Sequence, residues 1–118
     1  LFFKTDDPSK LKKWYKNHLG FNVDDYGCTF WWKDKNGKEA STQWSPFNSD
    51  THYFEPSKKD FMFNYRVHNL NELIAKLKTE GVTIIGETEA YEYGKFAWIL
   101  DSDGNKIELW EPIDAAFL

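Results

Sequence analysis

Cysteine is almost absent: Cys28 stands alone in a chain of 118 residues. A single thiol excludes an internal disulfide framework and fits a reducing compartment, so a cytoplasmic location is expected. No apolar run approaches the roughly 20 residues that cross a bilayer, and no signal-peptide pattern opens the chain. There is no Gly-rich phosphate loop, no serine elbow, and no Cys/His pair with the spacing of a nucleophile and its base. Charge of one sign is also missing. Lys and Arg number 15 against 19 Asp and Glu, a net charge of −4 with the signs interspersed. No basic patch with interleaved aromatics stands out, so neither nucleic acid nor a membrane is an expected partner.

Aromatic residues are abundant instead. They make up 19% of the chain and include six tryptophans. Rings in that number must fill a core, line a pocket or form an interface. The chain is long enough for one domain with a real core.

The most informative stretch runs from Phe96 to Pro112 and predicts a β-hairpin. Asp101-Ser102-Asp103-Gly104 supplies the turn, with glycine free to take positive φ and aspartate able to bond its own backbone. After the turn Lys106, Glu108 and Trp110 point one way, and Ile107 and Leu109 the other. Ile107 and Leu109 suit a helix-packed core. Glu108 then faces either a wet cavity or open solvent.

Upstream, Leu1 to Thr5 reads as a strand. Asp6-Asp7-Pro8 starts a helix whose apolar positions are Leu11, Trp14, Tyr15, His18 and Leu19, and Gly20 ends it. Short strands are predicted over 21–25 and 28–33, a turn at Asp34-Lys35-Asn36-Gly37, and a returning strand over 39–45 that Pro46 stops. Residues 46–60 form a connector. A strand follows over 61–67, then a second helix with Asn69 and Glu72 as a capping box, the stripe Leu70, Leu73, Ile74 and Leu77, and Gly81 at its end. A short strand over 82–85 and a polar link over 87–93 lead into the hairpin.

The two halves match each other. Leu19-Gly20-Phe21-Asn22-Val23 parallels Glu80-Gly81-Val82-Thr83-Ile84, and Trp44-Ser45-Pro46 parallels Trp110-Glu111-Pro112. The fold expected is therefore α+β: two tandem βαβββ modules, 1–46 and 61–112, with connector 46–60 and tail 113–118. Together they would build a curved eight-stranded mixed sheet with helices outside and a central cup.

Two signatures carry a resemblance over almost the whole chain. One is the helix start Asp6-Asp7-Pro8 with Lys10, Leu11, Trp14 and Tyr15, closing on Leu19-Gly20. The other is Asp101 to Pro112, with Gly104-Asn105-Lys106-Ile107-Glu108-Leu109 at its centre. The sequence resembles the vicinal oxygen chelate superfamily of glyoxalases, bleomycin-resistance proteins and extradiol dioxygenases. In metal-dependent members of that family, cup-facing positions hold one divalent ion, which chelates adjacent substrate oxygens as a Lewis acid. Carried over, those positions fall on Glu108, on Gln43, and on Met62 where the family usually has His; the fourth falls before Leu1. A thioether is a poor ligand for a hard ion. The histidines do not complete the set: His18 lies on the first helix, His52 in the connector and His68 at a strand end.

The resemblance thus implies a small-molecule-binding protein, a homodimer, with a degenerate metal site and no cofactor. Glu108 and Gln43 would be the metal ligands if Zn, Ni, Mn or Fe were held. The alternative is a divalent-metal-dependent lyase, isomerase or dioxygenase acting on vicinal oxygens. A third reading is a domain whose cup is plugged by its own side chains and serves a partner.

Alternation puts Met62, Asn64 and Arg66 on one side of their strand, and Phe63, Tyr65 and Val67 on the helix side. Lys4 holds in the first half the place of Arg66 in the second. Phe96 and Trp98 share a face. The expected ligand-binding set is Gln43, Met62, Asn64, Arg66, Phe96, Trp98 and Trp110, suited to a mixed apolar and polar molecule. Glu108 is the catalytic candidate, because desolvation among tryptophans raises a carboxyl's pKa toward that of a general base. The competing reading is that Arg66 and Glu108 pair and fill the space.

Overall fold

The computed structural model describes residues 1–113, so the predicted apolar tail falls, beyond Ile113, outside the described residues. Two compact units divide the chain, Leu1–Tyr53 and Phe54–Leu118. Together they hold seven strands and two helices among the described residues, where the sequence predicts eight strands.

The first unit runs β1 (Phe2–Thr5), α1 (Pro8–Leu19), β2 (Cys28–Lys33) and β3 (Glu39–Asn48). Its strands lie in the order β2-β3-β1, with β1 parallel and β2 antiparallel to β3. Helix α1 starts as its sequence dictates. Asp7 accepts the Lys10 N–H at 3.0 Å, and Pro8 occupies the first turn. Gly20 closes the helix at φ 71°, a left-handed conformation that glycine adopts without steric cost. The apolar stripe is narrower in the fold than in the sequence. Tyr15 packs on Trp44, ring centroids 4.7 Å apart, and on Phe21 at 5.0 Å. Trp14 and Leu19 stay exposed.

Two expectations fail in this unit. The strand predicted over 21–25 shrinks to a single antiparallel bridge, Val23 to Cys28. The reason is the turn that follows. Asp24 donates its N–H to the Gly27 carbonyl at 2.8 Å, and its Oδ1 accepts the N–H groups of Tyr26 and Gly27. An Asx turn this tight reverses the chain before a ladder can form. Gly27, at φ 143°, is forced: a Cβ there would stand 2.0 Å from the Trp44 carbonyl oxygen. The second failure is Pro46, which does not stop its strand but sits buried within β3, opposite Phe3. Ser45 donates its N–H to Leu1, on the β1 side. Alternation turns position 46 the other way, where the ladder with β2 has already ended at Trp44. No partner there needs the N–H that proline lacks.

The second unit runs β4 (Phe61–Arg66), α2 (Leu70–Thr79), β5 (Ile84–Tyr91), β6 (Gly94–Leu100) and β7 (Lys106–Pro112). Its order is β4-β7-β6-β5, with β4 parallel to β7 and the others antiparallel. The helix-side core is aliphatic: Leu70 and Ile74 of α2 pack on Ala97, Ile107 and Leu109, ringed by Val67, Leu73, Leu77, Ile84 and Ile99. The helix-side placement holds: Val67 packs against this core, and Phe63 and Tyr65 lie opposite Ile107 and Leu109 on the same face, although both rings stay exposed.

Strand β5 absorbs most of the segment read as a polar link, through Tyr91, with a register shift between Ile85 and Glu89. That irregularity masks the strand's period in the sequence. The capping box is also replaced. Asn69 adopts φ 48° and its side chain caps nothing. The Leu70 N–H is instead met by Glu111 Oε1 at 2.8 Å, from β7. A carboxylate at a helix N-terminus satisfies an orphan donor and the local dipole together.

Candidate functional site

The site is built on β7, an interior strand of the second unit, with β4 on one side and β6 on the other. Register decides which side chains meet. Asn64 lies opposite Glu108 and Arg66 opposite Trp110 across the parallel ladder. Trp98 lies opposite Glu108 and Phe96 opposite Trp110 across the antiparallel one. Directly opposed residues share a face, so Asn64, Arg66, Phe96, Trp98, Lys106, Glu108 and Trp110 come together on the face away from α2. Met62 joins them by alternation and is fully buried.

Glu108 is 2% exposed, which excludes the solvated reading. Its Oε1 accepts Asn64 Nδ2 at 2.5 Å and its Oε2 accepts Trp98 Nε1 at 3.0 Å. Both donors can give a hydrogen bond, and neither can take a proton. Lys106, two residues back, is buried too; its Nζ lies 5.8 Å from the centre of the Trp98 ring. Burial pushes the Lys106 ammonium below its usual pKa, while the charges of Glu108 and Glu55 hold it up. A buried charge pair of this kind stands only when each member keeps its hydrogen bonds and its counter-charge.

Beside this polar cluster runs a stack of rings. Phe96 lies 6.0 Å from Trp110 with 7° between planes, and 6.4 Å from Trp98 at 16°. The Arg66 guanidinium sits 5.5 Å from the Trp110 ring centre. Trp110 donates its indole N–H to the Tyr93 carbonyl at 3.3 Å. Gly94 permits that approach, since a Cβ at this position would come within 2.6 Å of the indole nitrogen. Tyr91 and Tyr93 stack on each other at 5.2 Å, edge-on to Phe96, and both are exposed. Tyr91 donates its hydroxyl to Glu89, and that bond raises the phenol's pKa.

The rim of this face is therefore half-buried Asn64, Arg66 and Phe96 with the exposed tyrosines, and its floor is Met62, Trp98, Glu108 and Trp110. Sequence reasoning left Lys106, Tyr91 and Tyr93 out of the site. Lys106 was visible in the same alternation that placed Glu108. The tyrosines were hidden because the segment carrying them reads as a link.

Gln43 belongs to the first unit. Its Oε1 accepts the Thr29 hydroxyl at 2.8 Å, and its Nε2 is buried without a hydrogen-bond partner. Counted back from the helix caps Asp7 and Asn69, Lys4 and Arg66 hold the same place. By that count Phe2 opposite Ser45 corresponds to Asn64 opposite Glu108, which matches Ser45 rather than Gln43 with Glu108. The parallel between Trp44 and Trp110 is likewise one of sequence only. Trp44 packs on α1 through Tyr15, whereas Trp110 faces away from α2. His18 lies against Trp14, and all three histidines are exposed.

A divalent ion needs several oxygen or nitrogen acceptors converging on one point. The described hydrogen-bond partners of Glu108 are an amide N–H and an indole N–H, and the side chain two residues back on its face is a lysine; none of the three offers a divalent ion an acceptor. Among the described residues no three of His, Cys, Asp and Glu come together as a ligand group. No helix among them is long and apolar enough to cross a membrane.

A family model described as the Glyoxalase/Bleomycin resistance protein/Dioxygenase superfamily matches residues 2–109. No curated protein matches the chain. Among solved structures, a methylmalonyl-CoA epimerase from Mycobacterium tuberculosis is similar at TM-score 0.63 and 16% identity, over 99% of this chain and 89% of that one. A protein from Legionella pneumophila described as an NAD-dependent benzaldehyde dehydrogenase is similar at TM-score 0.58 and 16% identity, over 94% and 96%. A glyoxalase/bleomycin resistance protein/dioxygenase superfamily member from Vibrio splendidus is similar at TM-score 0.55 and 13% identity, over 93% and 94%. At these identities the likeness is one of fold.

Proposed function

The chain belongs to the Glyoxalase/Bleomycin resistance protein/Dioxygenase superfamily, and from that premise we propose that it binds a small molecule without a divalent metal, on the Glu108 face of its second unit. The observation that carries this reading is the state of Glu108. Both of its oxygens accept hydrogen bonds from groups that can only donate, and Met62 stands where the resemblance expects a histidine ligand. The ligand would lie on the half-buried rim. Phe96, Tyr91 and Tyr93 offer apolar ring surface, and Asn64 and Arg66 offer hydrogen bonds and one positive charge. A molecule with both apolar and polar parts suits such a surface. Cys28, the one cysteine, supports a reducing cytoplasmic setting.

A second reading is a metal-dependent lyase, isomerase or dioxygenase. It is favoured by the position of Glu108, a carboxylate on the interior closing strand of the sheet. The two readings separate in one experiment. Protein stripped with chelator is screened against small molecules by tryptophan fluorescence, with and without added Zn²⁺, Ni²⁺, Mn²⁺ and Fe²⁺. Metal-independent quenching that is lost in Arg66→Ala supports the binder. Stoichiometric metal that Glu108→Ala removes, or binding that requires the ion, overturns it.

A further inference from the structure

We propose that Asn36, in the turn between β2 and β3, is a site of spontaneous deamidation, and that the Asp34 carboxylate guards it by holding the turn closed. Every other asparagine of the chain is followed by a residue with a side chain, whereas Asn36 precedes Gly37. In the reaction the Gly37 amide nitrogen attacks the side-chain carbonyl carbon of Asn36. A C–N bond forms, the glycine nitrogen gives up its proton, and the side-chain nitrogen leaves as ammonia. The product is a cyclic imide joining the two residues. Water then opens that ring at either carbonyl, which leaves an aspartate or an isoaspartate at position 36. Glycine presents no Cβ to hinder the attack. Asn36 is exposed, and its carboxamide makes no hydrogen bond among the described residues.

The folded turn resists this step. Asp34 Oδ1 accepts the N–H groups of Asn36 at 2.8 Å and of Lys38 at 3.0 Å, and the Asp34 carbonyl accepts that of Gly37 at 3.0 Å. The attacking nitrogen is therefore tied by its own proton to Asp34. It reaches the Asn36 side chain only when the turn opens, because ring closure needs the reacting atoms in near-attack geometry.

The turn between β6 and β7 in the second unit indicates which product the fold accepts. There Asp101 Oδ1 accepts the N–H groups of Asp103 and Asn105, each at 2.9 Å, and the Asp101 carbonyl accepts that of Gly104 at 3.1 Å. The clasp is the same, with Asp103 in the place of Asn36. An aspartate formed at position 36 thus keeps the turn. An isoaspartate does not, because it carries the β-carbon into the main chain and lengthens the path between the two N–H groups that Asp34 holds. That branch loosens the hairpin whose first strand carries Phe30, Trp31 and Trp32. At Asp103-Gly104 the same attack meets a carboxylate, a poorer electrophile than an amide, so position 36 is the faster of the two.

Peptide mapping of the whole chain during incubation at mildly alkaline pH tests the proposal. Asn36 is expected to deamidate ahead of every other asparagine, to a mixture of aspartate and isoaspartate. The urea-unfolded chain should react at Asn36 about tenfold faster than the folded one, and folded Asp34→Ala several-fold faster, since it lacks the carboxylate that holds two of the N–H groups. Earlier reaction at another asparagine overturns the proposal. So does an Asn36 rate that unfolding leaves unchanged, or a folded Asp34→Ala chain that reacts no faster than the wild type. If Asp34→Ala fails to fold, the comparison of folded with unfolded wild type decides.

Discussion

In the second unit the closing strand β7 lies between β4 and β6, its core partners on α2 are aliphatic, and Leu70 and Ile74 are buried. In the first, β3 holds the corresponding place between β1 and β2, its partners on α1 are rings, and no residue of α1 is buried. The difference follows from side-chain shape. Branched aliphatics interdigitate at close range, whereas Phe3, Tyr15, Phe21, Phe30 and Trp44 meet at tilted or edge-on angles with centroids 4.7 to 5.4 Å apart. Rings packed that way leave their rims in water. The polar faces differ as well. Glu108 is satisfied on both oxygens, while Gln43 leaves its amide nitrogen unpaired. The second unit carries the tight core and the buried charge; the first carries the run of exposed rings Phe30, Trp31 and Trp32.

The largest test of this contrast is Glu108→Ala. It removes one of the two carboxylates that hold up the buried Lys106 ammonium and takes the acceptor from the half-buried Asn64 amide and the buried Trp98 indole, a loss of roughly 3–5 kcal/mol in chemical denaturation. Gln43→Ala should cost less than about 1 kcal/mol, since one end of that amide is unpaired already. Equal costs would break the contrast. Next is Ile74→Ala, expected to cost about 2–4 kcal/mol against about 1 kcal/mol for half-buried Leu11→Ala on α1. A smaller effect belongs to the helix caps. Glu111→Ala should cost about 1 kcal/mol and speed amide exchange at Leu70, much as Asp7→Ala should at Lys10. An unchanged Leu70 exchange rate would remove Glu111 as the cap.

The smallest effect is one of pH. Asp101 accepts hydrogen bonds from the Asn105 side chain and backbone, which lower its pKa from 3.8. A carboxyl with a lowered folded pKa stabilises the fold above its unfolded value, and that contribution fades as pH falls through the folded one. Asp101→Asn should therefore flatten the acid limb of the stability profile below about pH 4 and leave neutral pH unchanged. An acid limb identical to that of the wild type would show that this carboxylate plays no part.

Much of the frame was legible because local rules wrote it. The Asp7-Pro8 start and Gly20 stop of α1 are local chemistry, as is the Asp101–Gly104 turn. Period-2 alternation placed Lys106, Glu108 and Trp110 on one face and Ile107 and Leu109 on the other, and register agrees. The same rule failed where a local irregularity broke the period. At Ile85 to Glu89 a bulge disguised a strand, and at Asp24 to Gly27 an Asx turn cut one short.

The sequence alone thus determined the family, the two helices, and the side of β4 and β7 on which a residue would point, because those depend on neighbours a few positions away. Only tertiary structure decided that Asn64 and Trp98 share Glu108 between them, that Glu111 rather than Asn69 caps α2, and that Pro46 lies harmlessly inside β3. Each of these depends on register between strands distant in the chain, and a register shift of one residue turns every side chain to the opposite face.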